Sequence, residues 1–362
     1  MKLLMTTDTV GGVWQYALSL CGALQAAGVE IVLASMGRPL SPAQRAAAAE
    51  LDNVMMAEGR FRLEWMQDAE HDVADSGIWL LALAERHDVD LVHVNGYAHA
   101  ALPFGRPVVA VAHSDVVSWF AAVKGEPLPA AWEHYRRAVE LGLSHADAVV
   151  APTEAVARDL ARNFGFAANR TRVIPNGIAL AHYAPAPKRP FILSAGRLWD
   201  EAKNIEQLDR IAPQIAWPIE IAGEGQHPDG GGQNLAAAMP LGVLTCIEMR
   251  ERLAAAAIYA APARYEPFGL AILEAAASGC ALVLGDIPSL WENWRDAAIF
   301  IPPGDDAALI AALNGLIADE AGRAALAERA HARSRAFDIA RTASDYLSLY
   351  RTLVTAPALI DA

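Results

Sequence analysis

Short β-branched runs alternate with amphipathic helical segments along nearly the whole chain, and the alternation restarts once after a proline-rich break. In the first half, strand-like runs at 2–8, 30–35, 90–94, 107–113, 148–151 and 171–174 are interleaved with helical patterns at 13–27, 42–51, 72–87, 129–143 and 153–164. This order predicts a mostly parallel sheet with helices on its faces, because parallel neighbours need long crossover connections. Asn176-Gly177 is a turn signal, and the Ala-Pro-Ala-Pro-Lys-Arg-Pro run at 184–190 is a stiff connector. Strand-like runs then return at 191–195, 219–222, 256–260, 281–284 and 299–301, with helical patterns at 204–215, 247–254, 269–278, 305–317 and 321–336. A Gly-rich loop at 226–233 interrupts this half, and a last helical stretch, 338–354, carries Tyr346 and Tyr350 on one face. A chain of 362 residues suits two such domains better than one core. Open sheets of this kind bind ligands beyond the carboxyl ends of their strands, which makes a cleft between the domains the expected site.

Composition removes several classes of function. The chain is 54% hydrophobic and 20% charged, as expected of a well-buried globular protein. Its net charge of −13 argues against a general nucleic-acid role, since duplex binding needs a cationic footprint. Lysine occurs only at Lys2, Lys124, Lys188 and Lys203, so an anionic ligand must be held by a few placed cations and helix N-termini. Cys21, Cys246 and Cys280 are odd in number and widely spaced, which points to a reducing compartment. The N-terminal residues enter a strand pattern directly rather than a signal peptide, and no run reaches transmembrane length; the expected location is the cytoplasm. No metal-binding His pair, Gly-x-Ser-x-Gly elbow, P-loop or dinucleotide Gly-x-Gly-x-x-Gly is present.

The segment richest in chemistry is 264–274, where Glu266 and Glu274 lie eight positions apart around a Pro-Phe-Gly turn that opens an apolar helix. Carboxylates accept hydrogen bonds from hydroxyls, and the fresh N–H groups of Phe268, Gly269 and Leu270 suit phosphate or sugar oxygens. Spacing alone means little, because Glu50/Glu58 and Glu320/Glu328 have the same separation and read as solvated helix charges. Gly196-Arg197 and Lys203-Asn204 follow the first strand of the second half. This cation pair either converges on a pyrophosphate or is simply exposed in a loop. Gly11 and Gly12 follow the first strand and either admit a ligand or make an ordinary turn. Gly223-Glu224-Gly225 follows the 219–222 strand, and 241–244 offers backbone groups that can face a base. His113 ends a strand and can bond a hydroxyl or move a proton. Asp88-Val-Asp90 has the spacing of a metal-binding pair but precedes a buried strand, where turn acids are commoner.

In order, Gly11-Gly12, His113, Asn176-Gly177, Gly196-Arg197 with Lys203-Asn204, Gly223-Glu-Gly225, Glu266-Pro-Phe-Gly-Leu-x-x-x-Glu274 and Ala-Ser-Gly279-Cys-Ala-Leu-Val resemble the retaining glycosyltransferase family 4. The similarity covers nearly all of the second half and is patchier in the first. It implies the α/β GT-B fold: two Rossmann-like domains facing across a central cleft. Residues 1–183 would form the acceptor side, completed by the crossover helix 338–362, and 184–337 would bind the donor. The resemblance assigns catalytic parts to His113, Arg197, Lys203 and Glu266. Arg197 and Lys203, beside Gly196, would hold the donor diphosphate and stabilise the departing charge, while Glu266 and His113 would contact the transferred sugar. Glu274 would bind the ribose, and the amides of Phe268, Gly269 and Leu270 would meet sugar and phosphate. Gly223 and Glu224 would also line the donor site, and Gly11 and Gly12 would let the first domain approach the diphosphate.

The implied reaction moves a sugar from a UDP-, GDP- or ADP-sugar to an unidentified acceptor (a glycan, glycolipid precursor or small molecule), without metal or cofactor. Retention is then attributed to front-face attack, not to a glycosidase-like carboxylate pair. Two other readings remain: a sugar-phosphate phosphorylase or epimerase of the same fold, and a silent sugar-nucleotide-binding protein. Peripheral membrane contact has only scattered candidates in Arg60, Arg62, Lys124, Arg136 and Arg137 and no basic helix, so Trp65, Trp119, Phe120 and Trp132 read as core or acceptor wall.

Overall fold

The computed structural model describes residues 1–226, 232 and 234–355. The expected Gly-rich loop therefore falls largely outside the described residues, as does the end of the 338–362 segment. Two compact units emerge, one comprising Met1–Phe120, Glu126–Gly177 and the chain from Ile339, the other Ala121–Gly125 and Ile178–Asp338.

The first unit is built on β1 (Lys2–Asp8), β2 (Glu30–Met36), β3 (Val54–Glu58), β4 (Leu91–Val94), β5 (Val108–Val111), β6 (Ala148–Ala151) and β7 (Thr171–Val173). They form one sheet in the order β3-β2-β1-β4-β5-β6-β7. Every neighbouring pair is parallel. Leu3, Leu4, Met5, Val92, Val109 and Ala110 have no exposed surface. A parallel strand covered on both faces reads as a continuous apolar run for this reason. The helix Ile339–Thr355 packs against the helix Gly12–Gln25, burying Tyr346 and Tyr350 completely.

The second unit holds β8 (Arg189–Ala195), β9 (Ile219–Ala222), β10 (Met239–Gly242), β11 (Ala256–Ala261), β12 (Ala281–Gly285) and β13 (Ile299–Ile301). Its sheet runs β10-β9-β8-β11-β12-β13, again parallel throughout. One helical layer packs Leu253, Ile272, Leu273 and Trp294 on one face, and Leu208, Ile211, Leu309 and Leu313 lie in a second apolar cluster. Full burial of each such side chain stabilises the fold by about 1.5–3 kcal/mol.

Elements absent from the sequence expectation include β3, β10 and the short helices Val116–Trp119 and Pro288–Trp294. β3 and β10 are edge strands, one half-exposed and the other containing Pro240 and Gly242, so neither has a buried run to announce it. The seven-residue helix Pro288–Trp294 is too short to show a period. Glu58 consequently lies at the end of β3, bridged to Arg45 at 2.7 Å, and is not a helix charge. Glu320 and Glu328 are exposed on one helix, as expected.

Gly177 lies where the last helix begins. A Cβ there would meet the Ile339 backbone at 2.7 Å and the Thr342 hydroxyl at 2.6 Å. That hydroxyl also donates to the Pro175 carbonyl at 2.9 Å. Gly177→Ala is expected to destabilise the protein by about 1–3 kcal/mol, the range for overpacking, read as a lower urea midpoint. Unchanged stability would mean that the helix start can shift without cost.

Candidate functional site

In the second unit, β8 and β9 end beside one another, and their turns pack backbone on backbone. The Gly196 N–H donates to the Ala222 carbonyl at 3.0 Å, the Leu198 N–H to Glu224 at 2.9 Å and the Gly223 N–H to Gly242 at 2.8 Å. Gly223 has φ +142°, and a Cβ would stand 1.8 Å from the Gly196 oxygen. Only glycine fits there. This contact fixes the loop that carries Arg197. Its guanidinium donates to Asp200 at 2.6 Å and lies 5.2 Å from the Trp199 ring centre. Asp200 also accepts from the Ala202 N–H, capping a short 3-10 turn, Glu201–Lys203.

Lys203 closes that turn, and its ammonium meets the Glu266 carboxylate at 2.6 Å; the two side chains are only 19% and 17% exposed. Two sequence-distant candidates thus form one ion pair. Their loops are tied together by the Arg264 N–H, which donates to the Ala202 carbonyl at 2.8 Å. Asn204, at φ 55°, turns the chain from Lys203 into the helix Ile205–Ile211, and its amide donates to the Pro262 carbonyl at 3.0 Å. After Glu266 the chain passes Pro267 and the buried Phe268, reaching Gly269 at φ +89°. Gly269 is the N-cap of the helix Leu270–Ala277 and has no side chain to cap it. First-turn N–H groups have no intrahelical acceptor and remain available to an anion. Ser289 donates to the Glu266 carbonyl and Asn293 to the Phe268 carbonyl, bracing the turn from the helix Pro288–Trp294.

Glu274 lies one turn into the Leu270–Ala277 helix and accepts from the Tyr183 hydroxyl at 2.8 Å. Its side chain is half-buried by surface area, but its carboxylate is set deep. Desolvation pushes it up to about 7, against the lowering influence of Tyr183 and Arg250. Val243, in the segment expected to offer backbone groups to a base, is 75% exposed just beyond β10.

In the first unit, Gly11 and Gly12 form the turn from β1 into the first helix. Gly11 has φ −162°, an extended value open to any residue, so backbone strain does not require glycine there. His113 stands two residues beyond β5 and lines a pocket with Thr6, Asp8, Glu64, Trp65 and Asn95. Glu64 accepts from the Tyr97 and Ala98 N–H groups at 3.0 and 2.9 Å, while burial pushes its carboxyl up. Asp88 and Asp90 have structural partners: Arg106 at 2.9 Å and the Lys2 N–H at 2.8 Å. Among the described residues no group of three or more His, Cys, Asp or Glu side chains is arranged to hold a metal ion. Trp132 is buried, Arg136 donates to the Asn163 carbonyl and Arg137 bridges Glu133. Among the described residues no helix is long and apolar enough to cross a membrane.

Sequence reasoning passed over Asn95, Tyr183, Asp200 and Ser289. Asn95 carries the signal that picked out His113, a polar residue just past a buried strand, and Asp200 sits in the Arg197 loop. Tyr183 and Ser289 carry no signal, because their roles arise only from packing.

Residues 10–182 match the family described as Glycosyltransferase Family 4, and residues 189–319 match Glycosyl transferases group 1. Sucrose-phosphate synthase from Thermosynechococcus elongatus superposes with a TM-score of 0.82 at 21% identity, covering 99% of this chain and 100% of its own. Anabaena HepE in complex with UDP and glucose superposes with a TM-score of 0.78 at 18% identity, over 98% and 100%. Two parallel α/β sheets with these neighbours define the GT-B fold. Glycogen synthase of Mycobacterium tuberculosis is 27% identical over 92% of this chain and 90% of its own length. The chain belongs to glycosyltransferase family 4.

Glu274 binds its proton more tightly in the folded protein than at its ordinary value of 4.5. Its stabilising contribution is therefore complete below 4.5 and lost as pH rises through about 7. Relative to wild type, Glu274→Gln is expected to gain on the order of 1–3 kcal/mol in stability between those limits, measured by urea unfolding at several pH values. A difference independent of pH would show that Glu274 is not desolvated.

Proposed function

We propose that the protein is a retaining, metal-independent glycosyltransferase that takes a nucleotide sugar as donor. The observation that carries this reading is the Lys203–Glu266 pair at 2.6 Å, set beside the Gly269 helix start in a chain of this family. Arg197 and Lys203 neutralise the diphosphate and oppose the charge that develops as the nucleotide leaves. Two cations of this kind perform the neutralisation that a divalent ion provides elsewhere. Glu266 accepts hydrogen bonds from the transferred sugar, Glu274 from the ribose diol, and the amides of Phe268, Gly269 and Leu270 meet sugar and phosphate oxygens. Gly196, Gly223 and Glu224 complete the wall of the donor site, Gly11 and Gly12 keep side chains off the diphosphate, and His113 contacts a sugar hydroxyl. The donor is assigned to the second unit and the acceptor to the first, with the crossover helix belonging to the acceptor side.

In the proposed step the acceptor oxygen attacks the anomeric carbon from the face that the diphosphate leaves. The new C–O bond forms as the C–O phosphate bond breaks, and the acceptor proton passes to the departing phosphate oxygen. Configuration is thereby retained. HepE, one of the structural neighbours, is a complex with UDP and glucose, which supports a nucleotide-sugar donor. The free thiols Cys21, Cys246 and Cys280 support action in a reducing compartment, the cytoplasm.

A panel of UDP-, GDP- and ADP-sugars should yield transfer or slow donor hydrolysis, with the product's anomeric configuration matching the donor's by proton NMR. Lys203→Ala is expected to lower kcat by about 10²-fold, the loss typical of one preorganised charge, and chelators should have no effect. Turnover of donor alone to an epimer, or with inorganic phosphate to a sugar phosphate, would replace this reading by an epimerase or phosphorylase. Nucleotide binding without any turnover would make the protein a silent binder.

A further inference from the structure

Two histidines at the ends of adjacent strands share one amide. β4 and β5 are parallel neighbours; Asn95 directly follows β4, and His113 lies two residues past β5. The Asn95 side-chain nitrogen donates to the Thr6 carbonyl at 2.6 Å, and its backbone N–H donates to the Thr6 hydroxyl at 2.8 Å. The carbonyl accepts only, so the amide cannot be flipped, and Asn95 Oδ1 must face the two rings. It lies 2.8 Å from His113 Nε2 and 3.1 Å from His93 Nε2. An amide oxygen accepts only as well, so both Nε2 atoms carry the hydrogen. His93 Nδ1 then holds a lone pair, which accepts from the Tyr350 hydroxyl of the last helix at 2.6 Å. Tyr16 packs edge-on against the His113 ring at 4.5 Å between centres, which fixes the ring plane. Burial holds both rings neutral, His93 pushed down to about 4 and His113 to about 3. Among the described residues His113 Nδ1 has no hydrogen-bond partner, and His113 lines the pocket at the strand ends.

We propose that Asn95 is a positioning residue that holds His113 as the neutral Nε2–H tautomer, so that Nδ1 offers a lone pair to the ligand, and that Tyr350 steadies this arrangement through His93. The consequence is a specificity rule: the ligand group at His113 must be a hydrogen-bond donor, and a free hydroxyl is accepted where an ether or a deoxy position is not. The rule rests on the assignment of His113 to a sugar hydroxyl, whereas the tautomer rests on the hydrogen bonds alone.

Nitrogen-15 NMR of the histidine-labelled full chain, free of ligand, tests the tautomer without any substitution. His113 and His93 are both expected neutral, with hydrogen on Nε2; hydrogen on Nδ1 of His113, or a charged ring at neutral pH, would overturn the proposal. In Asn95→Ala, His113 should become a mixture of tautomers, and kcat/KM for the donor should fall about tenfold. Tyr350→Phe should disturb the His93 signal first, and a wild-type spectrum in either variant would count against the network. A donor deoxygenated at the contacting hydroxyl should be discriminated by wild type but less by Asn95→Ala. If His113→Ala transfers sugar at the wild-type rate while the tautomer is as stated, the functional half of the proposal falls and the hydrogen-bond assignment stands.

Discussion

The second unit is organised around an ion pair that folding alone does not require. Removing Lys203 and Glu266 from most of their water carries a desolvation cost that their mutual attraction must offset, and similarly placed pairs add little net stability. The surrounding backbone nevertheless fixes both partners. Asn204 adopts a left-handed turn behind Lys203, the Arg264 N–H ties the two loops together, and Gly269 starts a helix immediately after the Glu266 turn. Such convergence makes sense if the pair is a preorganised cation and acceptor held in register for a ligand that carries both negative charge and hydroxyls.

The two units place different chemistry at their strand ends. In the second, the groups are ionisable: Arg197 with Asp200, Lys203 with Glu266, and Glu274, whose carboxyl desolvation pushes up to about 7. In the first, a neutral network of Thr6, Asn95, His93, His113 and Tyr350 is wired by hydrogen bonds with a single self-consistent set of donors. A chain with a net charge of −13 cannot attract a diphosphate by its overall field. For the proposed donor that work falls to local cations, and the scarcity of lysine gives Lys203 correspondingly more weight in the proposal.

Much of this was legible in the sequence because parallel strands buried on both faces announce themselves. Lys2–Asp8 and Ile219–Ala222 were readable as elements for that reason. Edge strands with one wet face, such as Val54–Glu58, were not. At the site, spacing and residue type pointed to Arg197, Lys203, Glu266 and Glu274, but not to which side chain each would touch. The Lys203–Glu266 pairing spans 63 positions, and the His93–Tyr350 bond spans 257. Only the folded chain brings such residues together. Glu58 shows the reverse error, a carboxylate read as a helix charge that the sheet edge claims.

The role of the Lys203–Glu266 pair is tested most directly by calorimetry of nucleoside diphosphates on Glu266→Gln. The substitution keeps the shape of the side chain but removes the charge that competes with phosphate for Lys203. Binding of the nucleoside diphosphate alone should tighten by about tenfold, equivalent to about 1.4 kcal/mol, while transfer from the nucleotide sugar falls. Unchanged or weaker diphosphate binding would contradict the assignment of Lys203 to phosphate, and with it the placement of the donor at this pair.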